Sequence, residues 1–367
     1  MTTTLTETPP GQPGRQQQFA AHAGRILSQA AQALLTQRIV LLATLIALLL
    51  IVMTSLDSAG VLSGSYNSDY LAAALINAVP MAMLGLAQLV VILSGRGGID
   101  LSVGSIVSLT GIFFGFAYGV WGWGILPSIL FTALLGALCG AINGVLVSYI
   151  GFPALIATLA TYYAFRSLAV VISGQKPINS EQIQTFYSAA RSIELPLIGG
   201  SLPLIPVGLF TFLIPTALIV WVILNKTTFG RRLYAIGTND VAASWSGINV
   251  KPNRMAAYVI SGLISGLVAI VTVAQFASAR PDAGTSGNGM ALPAITIAVL
   301  GGVAITGGVG RVAGVVLATV LIVWLNAGIL LAFPGNEGTQ FQLLALGLVL
   351  IFASLLNGLT KRRYGGI

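Results

Sequence analysis

Long apolar stretches, separated by short polar or glycine-bearing breaks, run through almost the whole chain. Ile39 to Met53, Ala82 to Leu93, Leu204 to Leu224 and Phe341 to Leu356 contain no charged residue. A bilayer core needs about 20 mostly apolar residues per helix. The pattern predicts spans near 38–56, 70–94, 103–120, 124–150, 154–173, 203–225, 254–276, 291–306, 311–332 and 340–357. The expected fold is therefore all-α and polytopic, with about ten transmembrane helices filling a permease domain over 38–357. Residues 1–37, polar and Gln-rich, read as a disordered tail with too little apolar surface to offset ordering entropy. No short apolar core follows a basic start near Met1, so this tail is not read as a cleavable signal. Residues 358–367 read as a basic tail.

Composition agrees with this pattern, since 56% of the residues are hydrophobic and only 7% charged, against about 25% in soluble domains. A formal net charge of +8 would suggest nucleic acid only if the cations clustered on a soluble face. They sit instead at the predicted helix ends. With the first span entering from the cytoplasm, Arg15, Arg25, Arg38, Arg96, Lys226, Arg231, Arg232, Lys251, Arg254, Arg311, Lys361, Arg362 and Arg363 fall inside. Outside fall Lys176, Arg191 and Arg280, together with the acids Asp57, Asp69, Glu181, Glu194, Asp282 and Glu337. This is the positive-inside distribution, and it places both termini in the cytoplasm.

Chemistry-bearing residues are sparse. Cys139 is the only cysteine and His22 the only histidine, so no metal site is expected. No cluster of His, Asp, Glu or Cys suggests catalysis, and the chain is read as a non-enzyme. Three stretches invite function. In GGIDLSVGS, Gly97 to Ser105, paired glycines permit a backbone break, and Asp100 or Ser102 is placed to cap the next helix. Asp100 as a plain cap, or as partner to Arg96, is the simpler alternative to a functional acid at membrane depth. In the long loop at about 226–253, Asn239 or Asp240 is placed to cap a short helix ended by Gly247. That helix suits docking in a groove of a cytosolic partner, or lying on anionic lipid. The third stretch, Gly301 to Gly314, lacks the Walker pattern, so ATP and Mg are expected in another subunit and no cofactor in this chain.

Glycines at 136, 140 and 144, and again at 262 and 266, predict close helix packing. Asn77, Gln88, Asn143, Asn326 and Gln275 fall within predicted spans, where an amide either lines a path for a hydroxylated solute or bonds across helices. Gly98, Asp100, Ser102, Gly104 and Ser105 join Asn77, Gln88, Asn143 and Asn326 as candidates for the path or its gate.

GGIDLSVGS, the loop FGRRLYAIGTNDVAASWSGINV and the later LGG…GGVGR pattern together resemble the permease subunits of bacterial monosaccharide ABC importers, of the ribose, xylose and galactose type. The resemblance runs from about Leu71 to Asn357. It implies a multi-pass inner-membrane subunit that pairs with a second permease, alike or different, around a path for a pentose or hexose. It also implies a cytosolic ATP-binding subunit and an extracytoplasmic sugar-binding protein as partners. By matching positions, Phe229, Gly230, Arg231, Arg232, Ala235, Gly237, Asn239, Asp240, Ala242, Ala243 and Gly247 would form the segment coupling to the ATPase. Where such permeases commonly carry acids shortly before the LGG turn, this chain has Met290, Ala291, Leu292 and Pro293. The alternative is an ion-coupled secondary transporter of a small polar solute, which also uses broken helices but usually needs buried acids.

Overall fold

The computed structural model describes residues 37–190, 192–193, 205–286 and 289–364. The expected tail lies outside them apart from Gln37, as do Arg191 and Glu194. Nine helices among the described residues are at least 18 residues long and apolar enough to cross a membrane. They are α1 (Arg38–Ser58), α2 (Ser68–Leu93), α3 (Val103–Phe114, extended by a π-helical turn to Val120), α4 (Ile125–Val145, extended likewise to Ile150), α5 (Ala154–Ile172), α7 (Ile214–Lys226, preceded by a π-helical turn from Leu209), α10 (Val250–Phe276), α12 (Val312–Ala332) and α13 (Asn336–Tyr364). Shorter helices are α6 (Glu181–Ala189), α8 (Thr228–Thr238), α9 (Asp240–Trp245) and α11 (Ala291–Leu300). β1 (Ser192–Ile193) and β2 (Ile205–Pro206) pair antiparallel.

One predicted span is corrected. The apolar run over 291–306 holds only the ten residues of α11, about 15 Å of helix and half the hydrocarbon core. Apolar side chains continue to Ile305, but the helix ends at Leu300, where Gly302 at φ +90° takes a left-handed backbone conformation. Other boundaries move by a few residues. The expected 254–276 span begins at Val250, the 203–225 span at Leu209, and the last helix runs on to Tyr364 through part of the expected basic tail.

At the centre stand α2, α3, α10 and α11, whose side chains are largely buried, with α1 and α13 at the rim. Helices α4 and α10 pack backbone against backbone. A methyl group on Gly136, Gly140 or Gly262 would collide with the facing backbone, so the predicted glycine stripes are a zipper that only hydrogen side chains permit. Pro80 lies inside α2 and cannot donate to the Ile76 carbonyl four residues back. The Gln275 amide, from the far end of α10, donates to that carbonyl at 2.5 Å. In lipid such a repair must come from protein.

Candidate functional site

Two polar centres emerge from the packing. The first surrounds Asp100. After α2 the chain turns through Gly95, Arg96 and Gly97, all at positive φ (76°, 54° and 64°), a conformation costly for the one residue of the three with a side chain. It then runs irregularly back into the bundle before α3 begins. Irregular backbone at this depth needs partners within the protein. Gln88 supplies them for residue 100, its Nε2 donating to the Asp100 carbonyl at 2.5 Å while its Oε1 accepts from the Asp100 N–H at 3.2 Å. Thr158 donates its hydroxyl to the Ile99 carbonyl at 3.3 Å.

The Asp100 carboxylate accepts from the N–H of Ser102 at 3.0 Å, from its hydroxyl at 2.6 Å, and from the Ser261 hydroxyl of α10 at 3.0 Å. Asn143 of α4 donates to the Ser102 hydroxyl oxygen at 2.7 Å and accepts from Thr161 of α5 at 2.6 Å. Gln88, Asp100, Ser102, Asn143 and Ser261 are fully buried. No ion pair to Asp100 forms among the described residues. Its two oxygens rest on three donors, an N–H and a hydroxyl of Ser102 just before α3 and the hydroxyl of Ser261. Arg96, the expected alternative partner, turns the other way.

The second centre lies at the basic end of the bundle, where α8 and α9 form one bent segment. Thr227 caps α8 by accepting from Gly230 N at 3.2 Å, and Asn239 caps α9 by accepting from Ala242 N at 3.0 Å. Of the two expected caps, Asn239 is the one used. Gly247, at φ +79°, follows the helix as expected. Leu233, Ile236 and Gly237 are buried and face inward. Gly237 is clamped between Leu93, Gly95 and Gly308, backbone against backbone. Tyr234 donates to the Gly310 carbonyl at 2.8 Å, and burial pushes its phenol up despite the opposing Arg311 charge, so it stays a neutral donor. Two turns from distant parts of the chain, the one after α2 and the one between α11 and α12, thus hold α8.

Asp240, the first residue of α9, pairs with Arg96 at 2.6 Å and with Arg254 of α10 at 3.4 Å. Arg254 is buried and also donates to the Ser94 carbonyl, from Nη2 at 3.1 Å and from Nε at 3.4 Å. On the other side of α9, Val241 is 58% exposed and Trp245 87% exposed.

The predicted path residues therefore divide. Gln88, Asp100, Ser102 and Asn143 form one sealed network, and Ser105 donates to the Ser102 carbonyl at 2.8 Å beside it. Gly98 is buried inside the 94–98 turn, and Gly104 packs on Gly284, backbone to backbone. Asn77 is exposed on α2, and Asn326 is half-buried on α12 with its carbonyl accepting from Gln342. Among the predicted coupling residues, Arg231, Arg232, Ala235, Asn239, Ala242 and Gly247 are exposed, Phe229 and Asp240 half-buried, and Gly230, Gly237 and Ala243 buried. Missed from sequence were Ser261, Thr158 and Thr161, ordinary helix residues with no local signal, and Arg254, whose charge at a helix start was the available clue.

Residues 70–354 match the family described as "Branched-chain amino acid transport system / permease component". Among similar proteins, the autoinducer 2 import system permease protein LsrD of Escherichia coli strain K12 is 37% identical over 276 residues, covering 74% of this chain and 77% of that protein. The protein of the same name from Yersinia enterocolitica serotype O:8 is 34% identical over 272 residues, covering 74% and 76%. No solved structure matches the chain.

Proposed function

The chain belongs to the branched-chain amino acid transport system / permease component family, a non-catalytic, multi-pass subunit of the bacterial inner membrane, and from that premise we propose that it carries a small hydroxylated solute inward under the drive of a separate ATPase. The solute class is a monosaccharide or a sugar-like ring of similar size and polarity, as the name of its autoinducer 2 relatives suggests. Its partners are a cytosolic ATP-binding subunit that supplies ATP and Mg, an extracytoplasmic binding protein, and a second permease that completes the path. The basic end faces the cytoplasm, following the distribution of Arg and Lys.

One observation carries the coupling role. Trp245 and Val241 project an exposed apolar tip from a short helix outside the membrane-spanning segments, and Arg231 and Arg232 are exposed on the preceding helix α8. Tryptophan and arginine are the residues enriched in binding hot spots. The inward side of the same segment is fixed by Gly237, so docking and anchoring use opposite faces. Transport then follows if the ATPase binds the inward-open and outward-open arrangements with different free energies, since equal affinity would shift nothing.

The test is a mild-detergent pull-down of the tagged chain, followed by uptake in proteoliposomes with the recovered partners. Recovery of an ATPase whose nucleotide supply drives uptake supports the reading. A chain recovered alone, with uptake that survives ATP depletion and collapses with the ion gradient, replaces it with the ion-coupled alternative.

A further inference from the structure

Asp240 stands apart from the rest of α8 and α9 because its side chain faces neither the docking tip nor the glycine clamp. It bridges two arginines from elements distant in sequence, Arg96 in the turn after α2 and Arg254 near the start of α10. The two cations differ in surroundings: the Arg96 side chain is 71% exposed, that of Arg254 only 7%. A guanidinium that far out of water is costly without a charged partner. Arg254 has Asp240 and, besides, the Ser94 carbonyl at the end of α2. The buried half of this cluster therefore ties together three things, namely the docking helix, the end of α2 and the base of α10.

Below Arg254 on the same face of α10 come Tyr258, buried against Val91 and Val147, and Ser261, which holds the Asp100 carboxylate. The spacing 254, 258, 261 is one helical stripe. On its neighbouring face α10 is zipped to α4 through Gly262 and Gly266. α9 thus meets α10 through a charged, directional contact, and α10 is tied to the centre of the bundle by a sealed network and a backbone contact.

We propose that Asp240 is a positioning residue whose carboxylate clasps Arg254 and Arg96 so that movement of the docking helix is delivered to α10 rather than absorbed by the loop. This rests on the reading of α9 as the ATPase-docking helix. The clasp is not needed for docking itself, because the carboxylate points inward. It is needed for the partner's motion to register in the membrane. Neither a generic loop anchor nor a surface ion pair predicts that separation.

The experiment uses the complex of the chain with its co-purified ATPase and compares Asp240→Asn, Asp240→Glu and Arg96→Gln. Asn keeps the size of the side chain and leaves the Asn239 cap untouched. The expected result is that Asp240→Asn captures the ATPase in wild-type amount and retains ATP hydrolysis, while uptake per ATP falls roughly tenfold, the size of an ordinary allosteric coupling. Asp240→Glu restores most of that ratio, and Arg96→Gln, which leaves the buried half of the clasp intact, lowers it less than Asp240→Asn does. Wild-type uptake per ATP in Asp240→Asn overturns the clasp and leaves the docking reading standing. Loss of ATPase capture in that variant also overturns it, since Asp240 would then act in docking. Should Asp240→Asn fail to fold, Arg96→Gln carries the test, and an unchanged uptake-to-ATP ratio there overturns the bridge. Failure of the wild-type chain to capture any ATPase removes the docking reading, and the clasp with it.

Discussion

Asp100 and Asp240 are both carboxylates held close to arginine-bearing segments, yet they are built in opposite ways. Asp100 is sealed, has no ion pair among the described residues, and is satisfied by two hydroxyls and an N–H. Asp240 is half-open and shared between two arginines. Hydrogen bonds from short hydroxyls fix direction within a fraction of an ångström and fail if the partners move. A guanidinium offers several donors on a long arm, so an ion pair tolerates displacement while keeping its sign. The comparison marks the Asp100 network as a fixed joint among α2, α3, α4, α5 and α10, and the Asp240 cluster as a joint that transmits movement.

The comparison breaks most visibly at Asp100. Replacing Asp100 with Leu strands the Ser102 and Ser261 donors and should cost about 3 kcal/mol or more, read as a loss of the monodisperse peak on heating the detergent-solubilised chain. Trp245→Ala leaves the fold unchanged but should weaken ATPase capture by about 2 kcal/mol, or some thirtyfold, measured by titrating the partner against the immobilised chain. Asp100→Asn separates charge from shape, because the amide oxygen still accepts from Ser102 and the Ser261 hydroxyl can turn to accept from the amide nitrogen. A fixed joint predicts a stability change within about 1 kcal/mol and uptake near wild type. A large loss of uptake with intact folding would instead give the charge a part in transport. Smallest of all, Arg96→Gln should change stability by no more than about 1 kcal/mol, since that arginine is mostly in solvent, and this appears as a melting shift of a degree or two at most.

Much of this architecture was readable because lipid leaves a coarse mark on sequence. Nine spans, the glycine zipper and a cap at Asn239 or Asp240 all follow from local residue types, and packing selects Asn239. The half-length α11 was not readable, because hydropathy counts side chains and the apolar run continues to Ile305, whereas the break after Leu300 is made by the backbone at Gly302. Asp100 was recognisable as unusual from its position alone. Its partners on other helices were not, since Ser261 and Gln88, and Asn143 which holds Ser102, are placed by helix packing and nothing near them in sequence refers to residue 100. Arg96 was an obvious local partner for Asp100, and the left-handed turn through 95–97 sends it to Asp240 instead.

The proline in α2 has a consequence of its own. By removing an N–H it leaves the Ile76 carbonyl dependent on Gln275, so one rung of α2's hydrogen-bond ladder belongs to a different helix. That rung works as an index mark between α2 and α10 near the end opposite the arginines. Sliding either helix by one residue, about 1.5 Å along its axis, takes the amide off the carbonyl, and no N–H at position 80 replaces it. Tilting about that point leaves the bond in place. The bond thus fixes the register of α2 against α10 at that end, as the Asp100 network does at the centre of the bundle.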